Sequence, residues 1–184
     1  MATIFDKIRQ DVGDRELSLT WYKRKVSELA SRISAGRLMR EGKILKTPGF
    51  NQLNFFRYNP KTKAILPYYD TFPLVMPIDS AKGGFLGINF HYLPIPLRIR
   101  LLDRLVDYSN NTKFDESTKL NVNYTGVKNI KLVKPTLHRY LSGRVKTDFR
   151  RIDADEFTVA TLLPVQRFAK ASERVVYKDS REMI

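Results

Sequence analysis

Five of the nine prolines lie between Leu66 and Leu105, in LPYYDTFPLVMPIDSAKGGFLGINFHYLPIPLRIRLLDRL, and they restrict this stretch more than any other feature restricts the chain. A proline has no N–H for a ladder and holds φ at about −65°, so strands admit it at edges or bulges and helices in their first turn. Phe72 to Ile78 is aromatic and β-branched, and with Pro73 and Pro77 it reads as an edge strand or a bulged one. Asp79 to Gly84 is a polar turn ending in two glycines. Phe85 to Tyr92 then alternates, with Leu86, Ile88, Phe90 and Tyr92 on one face and Phe85, Gly87, Asn89 and His91 on the other. Pro96 opens a helix whose stripe is Leu97, Leu101, Leu102, Leu105 and Tyr108, with Asn110-Asn111 as its stop. Gly83, Gly84 and Gly87 are expected at a tight turn and a close strand approach. Phe85, Ile88 and Phe90 are expected to anchor the core beneath the helix.

The flanking sequence supplies further short elements. Thr3 to Val12 is a short amphipathic arm, and a second helix, capped at Ser18 or Thr20, carries Leu19, Tyr22, Val26, Leu29 and Ile33. Lys43–Thr47, Gln52–Tyr58 and Ala64–Tyr69 read as strands, with Pro48-Gly49 and Asn59 to Thr62 as turns. About five antiparallel strands suffice for a small, partly closed β-barrel with flanking helices, an α+β class. Residues 1–112 then form the helical arm, barrel core and covering helix, and residues 113–184 a basic extension packed on the same domain. Within that extension Ser109 to Gly126 is a polar tether and Val127–Val133 a strand. Pro135–Ser142 is a helix ended by Gly143. Asp153 and Glu156 have the spacing of a capping box, which explains the acidic cluster there at lower cost than a metal site. Beyond Pro164, Val165, Phe168 and Ala169 suggest another short helix, and Arg174 to Ile184 a docking tail.

Charge is where the sequence speaks about partners. The chain carries 33 basic and 19 acidic residues, net +14. Half of that excess falls in residues 128–151, where Lys128, Lys131, Lys134, Arg139, Arg144, Lys146, Arg150 and Arg151 face Asp148 alone. A field of this kind favours double-stranded DNA or an acidic protein surface. Tyr58, Tyr68, Tyr69, Tyr92 and Tyr140 lie among basic residues and can stack on bases, although core or rim packing accounts for most such tyrosines.

Catalytic and metal signatures are missing. With no cysteine and only His91 and His138, a zinc site would need carboxylates to complete it, and His91 reads as a hydrogen-bonded structural histidine. Gly83, Gly84 and Gly87 lack the spacing of a phosphate loop. Asp70 and Asp79 lack the companion residues of a metal-dependent nuclease and read as turn residues. The expectation is a non-enzymatic protein with no cofactor and no metal. No apolar run approaches the roughly 20 residues of a membrane span, and no signal-peptide core is present, so no membrane contact or export is expected.

Three blocks, LPYYDTFPLVMPI, GGFLGINFHYLPIPLRIRLLDRL and KPTLHRYLSGRV with the later ADEFTVATLLPVQRFAKAS, resemble structural proteins of contractile-tailed, T-even-like bacteriophages. Within that group the chain is similar to the DNA end protector family, with a baseplate or tail subunit as the alternative. The resemblance covers roughly Leu19 to the C-terminus, and the middle block is its most specific part. It implies a virion protein made in the host cytoplasm, working in a multi-subunit assembly with other virion proteins. It assigns no catalytic residue and no cofactor. The two functional expectations are binding of a packaged DNA end and, alternatively, docking to acidic neighbours without DNA contact.

Overall fold

The proline-limited stretch folds as a bulged hairpin followed by a helix. The computed structural model describes residues 43–109, 122–152 and 157–184. In it β4 (Leu74–Ala81) and β5 (Gly84–Asn89) pair antiparallel from Val75↔Asn89 to Ala81↔Gly84, and the register shifts between Pro77 and Asp79. That bulge accommodates the missing proline N–H, so β4 lies inside the sheet and not at its edge. Its strand runs further than the sequence suggests, and the turn shrinks to Lys82-Gly83, where Gly83 takes φ +77°. Asn89 ends β5 by accepting the His91 N–H in its side chain, and Phe90–Tyr92 follow as a 3-10 turn, not as strand. Helix α1 (Ile95–Ser109) starts one residue before Pro96.

β1 (Lys43–Leu45), β2 (Asn54–Phe55), β6 (Leu137–Leu141) and β7 (Phe149–Arg151) complete a six-stranded antiparallel sheet in the order β1-β7-β2-β4-β5-β6. A separate pair joins β3 (Tyr69–Asp70) to β8 (Phe168–Ala169). The expected α+β class holds, but the expected barrel does not form. Among the described residues β1 and β6 are open edges, and one isolated bridge, Tyr58↔Val145, pairs the chain just after β2 with the link between β6 and β7. Both faces are buried without closure. On one, Leu53, Phe55, Leu74, Met76, Ile88 and Phe90 pack with Leu101, Leu102 and Leu105 of α1. On the other, Phe56, Val75, Phe85, Tyr140 and Phe149 make a small aromatic core. Ile88 and Phe90 thus lie beneath the helix as expected. Phe85, one pleat out of phase, belongs to the opposite core.

Several other expectations need correction. Residues 124–133 are helical: α2 (Tyr124–Val127), capped by Asn123 on the Gly126 N–H at 2.9 Å, and a 3-10 turn at Lys131–Val133. Val127, Ile130 and Val133 recur every three residues, a helical spacing that turns all three inward. Residues 137–141 are strand because β5 offers them a ladder, with Phe85↔Tyr140 and Ile88↔Leu137 in register. Of Ala64–Tyr69 only Tyr69 is strand. Ile65 sits on an exposed turn, and Phe168-Ala169 are extended. The C-terminal tail is helix α4 (Glu173–Met183), and α3 (Phe157–Leu162) packs on α1. The two N-terminal helices, most of the Ser109–Gly126 tether and the Asp153–Glu156 cap lie outside the described residues.

α1 is held by a buried arginine. Arg98, fully buried, donates to the carbonyls of Leu93 (2.7 Å), Thr161 (3.4 Å) and Leu163 (3.3 Å), to Gln166 Oε1 (3.0 Å) and to Tyr177 Oη (2.8 Å). One guanidinium fork therefore ties α1 to α3, to the segment after it and to α4.

Candidate nucleic-acid interface

Along the open edge of β6 lies a cleft of about 770 Å³. One wall is β6 itself. The opposite wall is the turn Pro60–Pro67, leading into Tyr68 and Tyr69, and Lys134-Pro135 and the α4 residues Ser180 and Met183 close its ends. Tyr92 and Tyr140 are buried in its floor, and Tyr58, Tyr68 and Tyr69 are half-exposed along its sides. The rings form two groups, Tyr68, Tyr92 and His138 in one and Tyr58 with Tyr140 in the other. Tyr92 is 4.1 Å from His138 and 6.0 Å from Tyr68 between ring centroids, and Tyr58 meets Tyr140 edge-on at 4.9 Å. Lys61, Lys134 and Arg139 stand exposed on the rim. Among the described residues Asp70 is the one carboxylate in the cleft lining, and it is 2% exposed; half-exposed Asp179 of α4 accepts a hydrogen bond from the Tyr68 phenol.

The floor is fixed from below by a buried polar network. Asp70 accepts the N–H groups of Phe72 (2.9 Å) and Arg167 (3.2 Å), His91 Nδ1 (2.7 Å) and Asn89 Nδ2 (3.4 Å). Asn89 Nδ2 also donates to Tyr140 Oη at 3.1 Å. Burial pushes the His91 pKa down although Asp70 opposes the shift, so the neutral ring donates from Nδ1. The sequence reading of His91 as a hydrogen-bonded structural residue fits this geometry. The reading of Asp70 as a turn residue accounts for its bond to the Phe72 N–H two residues on, but not for its place as the buried hub that joins β3, β5 and the segment before β8. Burial drives His138 down to about 4. Burial also raises the phenols of Tyr92 and Tyr140, and burial together with nearby Asp179 raises Tyr68 to about 12. All three phenols stay protonated at neutral pH, and the Tyr68 O–H is donated to the Asp179 carboxylate.

The turn wall is clamped from outside. Lys170, with a left-handed φ of 71°, donates all three ammonium hydrogens to the carbonyls of Lys63 (2.8 Å), Ala64 (2.9 Å) and Leu66 (2.7 Å). Nothing in the sequence separates Lys170 from the other surface lysines. Arg98 is equally hard to find, since its helix also carries Arg100, Asp103, Arg104 and Asp107.

The eight basic residues singled out from the sequence do not form one stripe. Lys134 and Arg139 reach the tyrosine cleft, and Arg139 also donates to the Lys82 carbonyl. Lys131 lies on a second groove with Arg100, Arg104 and Asp103. Lys128 is exposed at the end of α2, and Lys146 is exposed where the backbone pairs with Arg57. Arg144 is half-buried, its carbonyl accepting the Asn59 N–H. Arg150 and Arg151 are half-buried within β7, between β1 and β2. Sequence reasoning missed Lys61, which only the fold brings beside Lys134 and Arg139. Among the described residues no cluster of three or more His, Asp or Glu is arranged to hold a metal. No helix among them is long and apolar enough to cross a membrane.

Neither curated proteins nor solved structures give a match. A family model described as Phage T4 terminal DNA protecting protein matches residues 7–181. That span takes in the hairpin, most of the cleft and most of α4, and the chain belongs to that family of phage proteins.

Proposed function

We propose that this protein covers the ends of packaged double-stranded DNA in the virion as a non-catalytic binding protein, holding phosphates through its exposed lysines and arginines. The observation that supports this most is the family match over nearly the whole chain, in a molecule of net charge +14. Lys128, Lys131, Lys134, Arg139 and Lys146 are exposed, and no carboxylate pairs with any of them among the described residues. Cations left available in this way suit a polyanion, and mixed Lys and Arg without a reading helix suits phosphate contact over base readout. The protein is made in the host cytoplasm and joins other virion proteins at the DNA end.

Filter binding of blunt linear and circular duplexes over a salt series tests the reading. Linear DNA is expected to bind more tightly, with affinity falling steeply as salt rises and with little sequence preference. Equal, weak and salt-insensitive binding of the two forms would rule it out. Replacing Lys128, Lys131, Lys134, Arg144 and Lys146 together with Gln is expected to abolish most binding while the thermal melt is kept.

A further inference from the structure

We propose that the tyrosine cleft beside β6 seats the unpaired terminal nucleotides of a DNA strand, with bases against the half-exposed tyrosines and phosphates on the basic rim. This inference rests on the end-binding reading above and gives it a site. Three independent features of the cleft carry it. The first is its chemistry: the half-exposed rings of Tyr58, Tyr68 and Tyr69 offer stacking surface, and the exposed cations Lys61, Lys134 and Arg139 on the rim outnumber the one half-exposed carboxylate nearby, Asp179, which is engaged by the Tyr68 phenol. Its size is the second. About 770 Å³ falls within the ~300–1,000 Å³ of small-ligand sites, a volume suited to one or two nucleotides and too small to enclose a duplex. The third is an unmet hydrogen bond. Ser180 Oγ lines the cleft, is 1% exposed and has no partner, and a buried hydroxyl of this kind is ordinarily satisfied. A phosphate oxygen or a base edge entering the cleft would supply what it lacks.

An extended peptide adding to the edge of β6 is the competing occupant, and the edge itself argues against it. Strand addition needs the outward N–H groups, and the one on Leu141 is already given to Tyr58 Oη at 3.1 Å. Just beyond, the chain at Arg57 to Asn59 is hydrogen-bonded to Arg144 and Lys146 and blocks continuation of the ladder. A cationic rim also selects a polyanion over an ordinary peptide.

The test uses the full chain and four probes: a circular duplex, a blunt linear duplex, the same duplex with a short unpaired thymidine tail, and the oligothymidine alone. Tailed DNA is expected to bind more tightly than blunt, and the oligothymidine to bind measurably at low salt. A 5-iodouracil in the tail should crosslink to Tyr58, Tyr68 or Tyr69. Tyr68→Ala should weaken the tailed duplex roughly tenfold or more, as loss of one stacked base does. The double charge reversal Lys134→Glu with Arg139→Glu, at two exposed positions, should remove the advantage of the tail, with a thermal melt showing that the fold survives loss of the Arg139 bond to the Lys82 carbonyl. Lys178→Gln, on the far side of α4, should bind as wild type. If the oligothymidine is not bound, or the charge-reversed protein keeps the tail advantage, the cleft inference falls even where linear DNA outcompetes circles. Equal binding of blunt linear and circular duplex would sink the end-binding reading alone, and the oligothymidine and crosslink would still decide the cleft. Cleft variants that bind every DNA as wild type but fail to enter phage particles would show a protein-docking groove and overturn the inference.

Discussion

His91 and His138 are the two side chains whose environment makes a pH prediction possible. Burial lowers both pKa values, that of His138 from the ordinary 6.5 to about 4. Unfolded, each histidine takes up a proton near pH 6.5; folded, each resists it. The unfolded chain therefore binds more protons in that window, so stability is complete above pH 6.5 and declines as the pH falls toward 4. Thermal melts between pH 7 and pH 5, above most carboxylate titration, should show a falling Tm, and His138→Phe should flatten the slope. An unchanged slope in that variant would mean His138 is not shielded. The glycines give a steric prediction of comparable sharpness. A Cβ on Gly84 would lie 1.8 Å from the backbone oxygen of Tyr140, and one on Gly87 2.3 Å from Val75 Cγ1. Gly84→Ala must push β6 from β5 and should cost about 1–3 kcal/mol, with Gly87→Val in the same range or above. Phe90→Ala, which empties a fully buried ring, should cost about 3–5 kcal/mol, whereas exposed Lys82→Ala should change the melt little. Gly84, Gly87 and the burial of Phe90 are readable from turn chemistry and hydrophobic pattern, whereas the core that Phe85 joins is not. Asp70 is not, because its importance comes from Asn89, His91 and Arg167, none of them local in sequence.

Elements were legible where one period dominates the residues and illegible where two compete. The β4–β5 hairpin and α1 follow from prolines, glycines and a leucine stripe that admit few alternatives. Residues 137–141 satisfy a short helix or a strand equally well in isolation, and the vacant ladder of β5 decides between them. Closure of the sheet was equally invisible: the strand count is near that of a barrel, but the aromatic core on the second face fills the space that curling would otherwise bury. Two buried polar devices then hold the elements in place, and each predicts a different loss. Arg98→Met keeps much of the volume but strands three carbonyls, Gln166 and Tyr177, and should cost on the order of 3 kcal/mol or more, lowering Tm by about 6–12 °C. Lys170→Met touches no core residue. It should leave Tm within a few degrees yet raise hydrogen exchange and proteolysis across residues 61–67, because three carbonyls lose their clamp. If that turn stays protected, other contacts hold it and Lys170 is incidental.

Across the whole molecule the basic residues divide by location, and the division separates general attraction from recognition of an end. Lys128, Lys131 and Lys146 are exposed outside the tyrosine cleft, and Lys131 shares its groove with Arg100 and Arg104. Lys61, Lys134 and Arg139 stand on the cleft rim. Charges of the first set meet duplex phosphates wherever the duplex lies, so their loss should weaken linear and circular DNA alike. Each phosphate contact removed should also reduce the slope of log affinity against log salt by about 0.9. Charges of the second set meet only the strand that enters the cleft. Their neutralisation should narrow the gap between tailed and circular DNA, with a smaller change in the circular slope. Salt titrations of Lys128→Gln/Lys131→Gln/Lys146→Gln and Lys61→Gln/Lys134→Gln/Arg139→Gln against both forms measure the two slopes directly. Identical behaviour of the two triple variants would mean the basic surface acts as one undivided field and that the cleft contributes no discrimination.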